Sequence, residues 1–411
     1  MNRPGGDVAT LTISDLDHDQ LADLARELLL AGQLIDRAGM PTVIPHGIET
    51  MRDVAIEEWM AASPVYSKRM QRLLRFEGDT VEVCMKGMQL DIGAPPEFLD
   101  FRFTVIDDHH GEFHLDHCGA LMDVEPMGEE YVVAMCHDIE DPTFDATGWA
   151  TNPRLRVRPV HRPPRTPPDR RPHCQWTMEI DESAEPTPTP EAAVRMGRTR
   201  AAAVPVPDVP GPSGEVDGMC DYSGPLDADL HMRDFASAAL LGIIDEVCLQ
   251  GHLLVMGFAE AVRTRLGAPA AFDAVSKQFT GVGGVVAERL KKMLDLGDDA
   301  ESVAAVFELH PAFRPRSYLD WSVSVPGNGT VVVELGGCPA LEEEHISWAT
   351  VLASGEHRAL GAIATGVDPH WGVRADGERR WVLERHPEPF DELPEVTMTK
   401  FSTGVAFGFE R

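Results

Sequence analysis

Asp100-Phe101-Arg102-Phe103-Thr104-Val105, followed by Cys118-Gly119-Ala120-Leu121, decides the fold, because both stretches recur 220 residues later. Asp320-Trp321-Ser322-Val323-Ser324-Val325 and Cys338-Pro339-Ala340-Leu341 fall on them without a gap. At the same offset Arg69-Met70-Gln71-Arg72-Leu73-Leu74 falls on Arg289-Leu290-Lys291-Lys292-Met293-Leu294. With small shifts, Leu30-Ala31-Gly32-Gln33-Leu34-Ile35 meets Leu249-Gln250-Gly251-His252-Leu253-Leu254, Asn152-Pro153 meets Asp368-Pro369, and Val157-Arg158 meets Val373-Arg374. The order is kept throughout, which predicts a tandem duplication.

Within the repeat, Phe101, Phe103 and Val105 alternate with polar residues, the period of a half-buried strand. Residues 107–112 read as a hairpin turn, 113–118 as the return strand and 175–180 as a closing strand. Residues 132–136 fit either strand or helix. Upstream the period is helical: residues 15–20 carry N-cap character before the apolar spacing of 21–28, and 48–62, 66–76 and 79–90 read as further helices. The expected fold is α+β. It comprises two tandem units, each a helical N-terminal half plus a small antiparallel sheet, packed as a pseudo-dimer. The first unit spans residues 1–180 and the second, degenerate and structural, 229–411. Residues 181–228, with Pro186, Pro188, Pro190, Pro205, Pro207, Pro210 and Pro212, are expected to form an extended, solvated linker.

The 411 residues carry 36 basic and 67 acidic side chains, a formal charge of −31. That argues against nucleic-acid binding, which needs a basic footprint, and against an electrostatic membrane-surface role. No apolar run approaches the roughly 20 residues of a membrane span. Residues 1–7 lack the apolar core of a signal peptide, so a cytoplasmic location is expected. Only six basic residues are Lys, and the Arg, Ala and Gly richness fits the codon bias of a GC-rich bacterium. Seven cysteines, an odd number, argue against a disulfide framework.

Chemistry concentrates late in the first unit, as His117-Cys118, Cys136-His137-Asp138 and His173-Cys174. Cys118 has its counterpart in Cys338. Cys136 falls near residues 352–354 and Cys174 near Thr403, neither with a thiol. A packing role would be needed in both copies, whereas a site is needed in one only. Three thiolates suit a soft metal: zinc held by Cys118, Cys136 and Cys174 with His117 or His173, or a [4Fe–4S] cluster with one open iron. The alternative is a cysteine nucleophile, with Cys118 or Cys136 activated by a histidine such as His137, itself oriented by Asp138. The acidic run 138–145 reads as a solvated loop. Arg154, Arg156, Arg158, His161 and Arg162 open a stretch of seven arginines in 18 residues. These are candidates for holding an anionic small molecule, or else for pairing with the chain's own acids.

The order Cys118, then Cys136-His137-Asp138, then Cys174-Gln175-Trp176-Thr177-Met178 resembles the L-2-amino-thiazoline-4-carboxylic acid hydrolase family. The resemblance covers roughly residues 80–180, with a degenerate form at 300–411. Cys136-His137-Asp138 is one residue tighter than that family's Cys-x-x-Asp-like segment, and Gln175-Trp176 stands where Asp-Phe is expected. The resemblance implies hydrolytic opening of a small ring or amide containing a C–N or C–S bond. Three readings stay open. One is a hydrolase-like enzyme using the three-cysteine site on a small anionic substrate. Another is a non-catalytic zinc or iron–sulfur scaffold. The last keeps the thiols as plain core residues. A homodimer is compatible with each.

Overall fold

Asp17 starts the architecture. Its carboxylate accepts the Gln20 N–H at 2.9 Å while the Gln20 side chain accepts the Asp17 N–H at 3.0 Å, a capping box that begins α1, His18–Val43. A computed structural model describes residues 10–210, 217–327 and 329–402. Residues 1–7 of the expected leader-free start and Thr403 lie outside it. Helix α2, Ile48–Leu73, runs unbroken through Pro64, where the sequence suggests a break. Helix α3 follows at Val81–Met88.

The first sheet is built from β1 (Leu99–Val105), β2 (His110–Cys118), β3 (Leu155–His161) and β4 (Cys174–Ile180), in the antiparallel order β1-β2-β4-β3. Between β2 and β3 lie α4 (Gly119–Val124), α5 (Glu129–Val133), a π-helical turn at Ala134–Ile139, and α6 (Glu140–Thr151). Residues 132–136 are thus helical, and the acidic run 138–145 is the start of α6 rather than a loop. Short helices α7 (Glu191–Met196) and α8 (Arg200–Ala203) lead to α9 (Ser237–Leu266), α10 (Ala268–Met293) and α11 (Ala300–Leu309). The second sheet holds β5 (Trp321–Ser324), β6 (Val331–Leu335), β7 (Trp371–Ala375) and β8 (Arg380–Arg385), with α12 (Trp348–Ala353) and α13 (Arg358–Val367) between β6 and β7. Its order is β5-β6-β8-β7. Helix α14, Pro394–Thr399, follows. The α+β class expected from the period change is the observed one.

The two hairpins share one register. Phe101 pairs with Leu115 and Phe103 with Phe113; Trp321 pairs with Leu335 and Val323 with Val333. On the next strand Trp176 faces Phe113 and Trp381 faces Val333. Cys174 faces Leu115, and the Leu335 N–H donates to the Arg379 carbonyl at 2.9 Å. Strand pairing therefore makes Arg379, not Thr403, the counterpart of Cys174. The second unit still has no thiol there.

Helix α2 packs along α9, and α1 packs along α9 and α10. Arg69 of α2 pairs with Glu246 of α9 at 2.7 and 2.8 Å, and Arg289 of α10 pairs with Glu27 of α1. The four residues correspond in pairs under the sequence offsets, Glu27 to Glu246 and Arg69 to Arg289. Helix α9 is apolar and long enough, by length and composition, to cross a membrane, and 89% of its most apolar window is buried inside the protein.

Residues 181–210 and 217–228 correct the expectation of a solvated linker. Ala193, Met196, Ala201, Val204, Val209 and Tyr222 are buried. Arg69 donates to the Ala202 and Val204 carbonyls at 2.9 and 2.7 Å, and the Tyr222 N–H donates to the Leu74 carbonyl. Proline keeps the segment out of a sheet, but the small apolar residues between the prolines are enough to dock it.

The apolar interior is divided unevenly. Trp321, Val333, Leu335, Trp381 and Leu383 of the second sheet join the helices in one continuous core. Phe103, Phe113, Leu115, Trp176 and Met178 of the first sheet form a separate cluster. Where this cluster approaches α1 and α2, a layer of polar side chains lines an internal cavity.

Candidate active site

The three thiols do line one cavity, of about 60 Å³, with His173, Glu140 and Trp176 among its walls. Cys118 ends β2 and caps α4, its Sγ accepting the Leu121 N–H at 3.3 Å. Cys174 opens β4, and Cys136 sits in the π-helical turn, a distortion often found at functional sites. Burial pushes all three thiols up, Cys174 to about 12, and Glu140 adds to the rise at each. Arg162 opposes it at Cys136.

Sulfur and imidazole donors suit zinc or a cluster in kind. As placed, however, no group of three or more His, Cys, Asp or Glu side chains among the described residues closes around one ion. His117 and His173 have ring centroids 6.5 Å apart, and burial lowers the pKa of both. The His137–Asp138 pairing does not form. His137 Nε2 meets the Pro163 carbonyl at 2.7 Å, whereas exposed Asp138 faces Arg52 at 3.7 Å. In a helical turn successive side chains diverge, so sequence neighbours leave on different sides.

The arginines divide. Arg156 and Arg158 lie on β3 and Arg154 in the turn just before it, and none lines the thiol cavity. Arg154 donates to the Ala184 carbonyl, Arg156 to the Pro153 and Leu155 carbonyls, and Arg158 pairs with Asp145 at 2.9 Å. These three serve the chain's own acceptors. His161, at the end of β3, has its pKa lowered by burial and by Arg170. Arg162 alone turns toward the site. It pairs with Asp141 and lies 5.7 Å over the Trp176 ring.

Residues not singled out in the sequence make the adjoining chamber, of about 90 Å³. Helix α1 supplies Gln33, Asp36 and Arg37, α2 supplies Trp59 and Tyr66, the loop after α3 supplies Asp91, and α6 supplies Glu140. Arg37 Nε donates to Asp36 at 2.7 Å, and the Trp59 indole donates to the same carboxylate at 3.3 Å. The Tyr66 hydroxyl and the Gly93 N–H both donate to Asp91, at 2.7 and 2.6 Å. Burial pushes Asp91 up to about 6 and Glu140 up to about 7. It holds Glu58, fully buried beside this layer, well above the carboxylate range. Both Glu58 oxygens and the Gln33 Oε1 have no hydrogen-bond partner. Glu140, Phe101 and Phe144 line both cavities, and Phe101 also lines an open cleft of about 670 Å³ that leads outward.

A signal for this chamber does exist in the sequence. At the repeat offsets Asp36 becomes Val255, Arg37 becomes Met256, Glu58 becomes Gln278, Trp59 becomes Phe279 and Tyr66 becomes Val286. All five replacements are buried. Phe279 stacks on Trp348 at 4.9 Å, and the equivalent layer of the second unit holds apolar side chains and the neutral Gln278 in place of these charges.

Two measurements follow from this geometry. A Cβ on Gly119 would lie 2.2 Å from the Phe98 ring. Gly119→Ala is therefore expected to cost about 1–3 kcal/mol by overpacking, read by urea denaturation; an unchanged midpoint would show that the wall beside Cys118 is loose. The raised carboxyls give a pH signature. Glu140 has an ordinary value of 4.5 and Asp91 of 3.8, and folding raises both. Their stabilising contribution is present below about pH 4 and lost as pH rises through about 6 to 7. Glu140→Gln should therefore gain on the wild type by on the order of 2 kcal/mol between pH 4 and pH 8. A pH-independent difference would mean that Glu140 is ionised at its ordinary value.

Comparison with protein families, curated proteins and solved structures finds nothing that matches this chain.

Proposed function

We propose that the chain is a hydrolase-like enzyme that opens a C–N or C–S bond, or a ring containing one, in the connected cavities of its first unit. The second unit is a degenerate tandem copy, packed on the first as a pseudo-dimer. The reciprocal pairs Arg69–Glu246 and Arg289–Glu27 and the shared hairpin register support that descent. The observation that carries the function is the place of Glu140, which lines both the three-thiol cavity and the polar chamber; burial pushes its carboxyl up to about 7, where an acid–base group is most effective.

Cys136 and Glu140 are four residues apart along helical chain, a spacing that stacks side chains on one face. In this reading the Glu140 carboxylate takes the Cys136 thiol proton, and the thiolate, favoured by Arg162, attacks the electrophilic carbon. The C–N or C–S bond breaks with its electron pair on the leaving nitrogen or sulfur, which receives the proton from Glu140. Water, deprotonated by the same carboxylate, then releases the acyl group from sulfur, and the thiol regains its proton.

The test is turnover of a panel of thiazolines, hydantoins and simple amides, read as release of thiol or amine. Cys136→Ser should abolish it, with Cys118→Ser and Cys174→Ser retained within about tenfold. Equal loss in all three, with stoichiometric zinc or iron in the wild type alone, would favour the second reading, a thiolate-held metal scaffold. The sharing of one cavity by the three sulfurs is what speaks for that reading.

A further inference from the structure

We infer that the chamber receives a phenyl-sized aromatic ring, carried by the substrate as an unreacting anchor, stacked on Phe101 and edge-on to Trp59. The inference rests on the reading of these cavities as the substrate site and names a group which that substrate carries. The second unit supplies the argument, because it holds such a ring as part of its own chain. There Phe313, fully buried, lies flat against Trp321, with ring centroids 4.0 Å apart and planes 4° apart. The Phe279 ring meets Phe313 at 6.4 Å and 64°, an edge-to-face arrangement.

At the 220-residue offset Trp321 is Phe101, Phe279 is Trp59, and Phe313 is Gly93. The correspondence is structural as well as sequential. The Pro95 carbonyl accepts the Phe98 and Leu99 N–H groups at 2.9 and 2.8 Å, and the Pro315 carbonyl accepts those of Tyr318 and Leu319, both at 3.0 Å. Just before that shared turn the second unit has a benzyl side chain and the first has none. The first unit thus keeps both flanking rings and lacks the one that joins them. Space lies where the missing ring would stand. Gly93 and Phe101 line both inner cavities, and Trp59 lines the chamber. A Cβ on Gly93 would lie 3.1 Å from the Trp59 ring, so a side chain at this position would start out against that wall.

The rest of the wall suits an aromatic guest. Met40, Met51, Met88 and Met135 line the chamber, and thioethers make favourable contacts with ring edges. Size agrees. An apolar cavity on the order of 150 Å³ holds benzene, and the chamber of about 90 Å³ adjoins the thiol cavity of about 60 Å³. A substituent on the seated ring enters the thiol cavity, because Gly93, Phe101 and Glu140 border both spaces.

The experiment is calorimetric titration of the full chain with benzyl alcohol and cyclohexylmethanol. The cyclohexyl compound is the more hydrophobic, so exclusion from water alone would favour it, whereas a slot shaped for a flat ring favours benzyl. Saturable binding of one benzyl alcohol, at least about fivefold tighter than cyclohexylmethanol, is expected. Gly93→Phe, which restores the side chain of the second unit, should abolish it, and Phe101→Leu should weaken it by about fivefold or more. Near-UV circular dichroism checks that both fold, and Phe101→Leu decides alone if Gly93→Phe does not. Absence of saturable benzyl alcohol binding to the wild type, cyclohexylmethanol binding as tightly, or unchanged affinity in a folded variant overturns the inference. Its failure is separable from that of the hydrolase reading. Turnover of a ring-free amide, with no binding or inhibition by benzyl alcohol, rejects the aromatic anchor and keeps the hydrolase. Benzyl alcohol binding with no turnover of any panel member or its N-benzyl derivative does the reverse.

Discussion

Arg69→Met should lower the unfolding free energy by about 3–5 kcal/mol, the cost of leaving a buried charge without its partner. Arg69 and Glu246 are 4% and 1% exposed. The guanidinium serves both Glu246 oxygens and two backbone carbonyls of the docked segment, so its loss strands four acceptor oxygens in the helix interface. Desolvation already raises the Glu246 carboxyl against the pull of Arg69. The double variant Arg69→Met/Glu246→Leu should recover most of the loss, because the desolvation of both charges disappears with them. Arg289→Met, which strands fully buried Glu27, should cost a similar amount. Urea denaturation of the four proteins is the measurement. A loss below about 1 kcal/mol in Arg69→Met, the range of an exposed pair, would falsify the burial of this contact.

Glu140→Gln should lower kcat by roughly 10²–10⁴, the range of a positioned acid–base group, with KM little changed. The groups facing Glu140 are Asp36 and Arg37 from α1, its neighbour Asp141, Arg162 from the loop after β3, and the three thiols. Burial dominates their sum and sets its pKa near 7. The wild-type rate should therefore climb with pH to a plateau above about 7, and Glu140→Asp should keep that limb at reduced height. Glu140→Gln should flatten it. A limb that persists in Glu140→Gln would assign the titrating group elsewhere, with Asp91 next in line at about 6.

The sheets were legible because strands announce themselves locally. Alternating Phe101, Phe103 and Val105 need only their own hairpin to be understood. Strand β3 was not, since Arg156 and Arg158 alternate with apolar residues but resemble a basic loop until Asp145 and the Glu185 carbonyl are known to lie beside them. The thiols could be grouped from the sequence, but the partners expected for them could not. His137 and Asp138 are adjacent in the chain and diverge on a helical turn. The chamber was hidden because its polar residues come from α1, α2, α6 and the loop after α3, and none of these segments shows by itself that they are buried. Only the comparison of Asp36 with Val255 and of Glu58 with Gln278 distinguishes a buried charge from a solvated one.

The separate apolar cluster behind β1–β4 has a dynamic consequence. Helices α1 and α2 share their core with the second sheet, so the sequence repeat and the cooperative folding units do not coincide. The first sheet meets α1 and α2 at a cavity lined by Gln33, Asp36 and Arg37 as well as by apolar side chains, and separating it there exposes less apolar surface than global unfolding does. Amide hydrogens of β1–β4 should therefore exchange through a partial opening, while those of α9 and β6 wait for the whole molecule to unfold. The half that lines the three-thiol cavity is the half expected to breathe, and the other serves as the ballast.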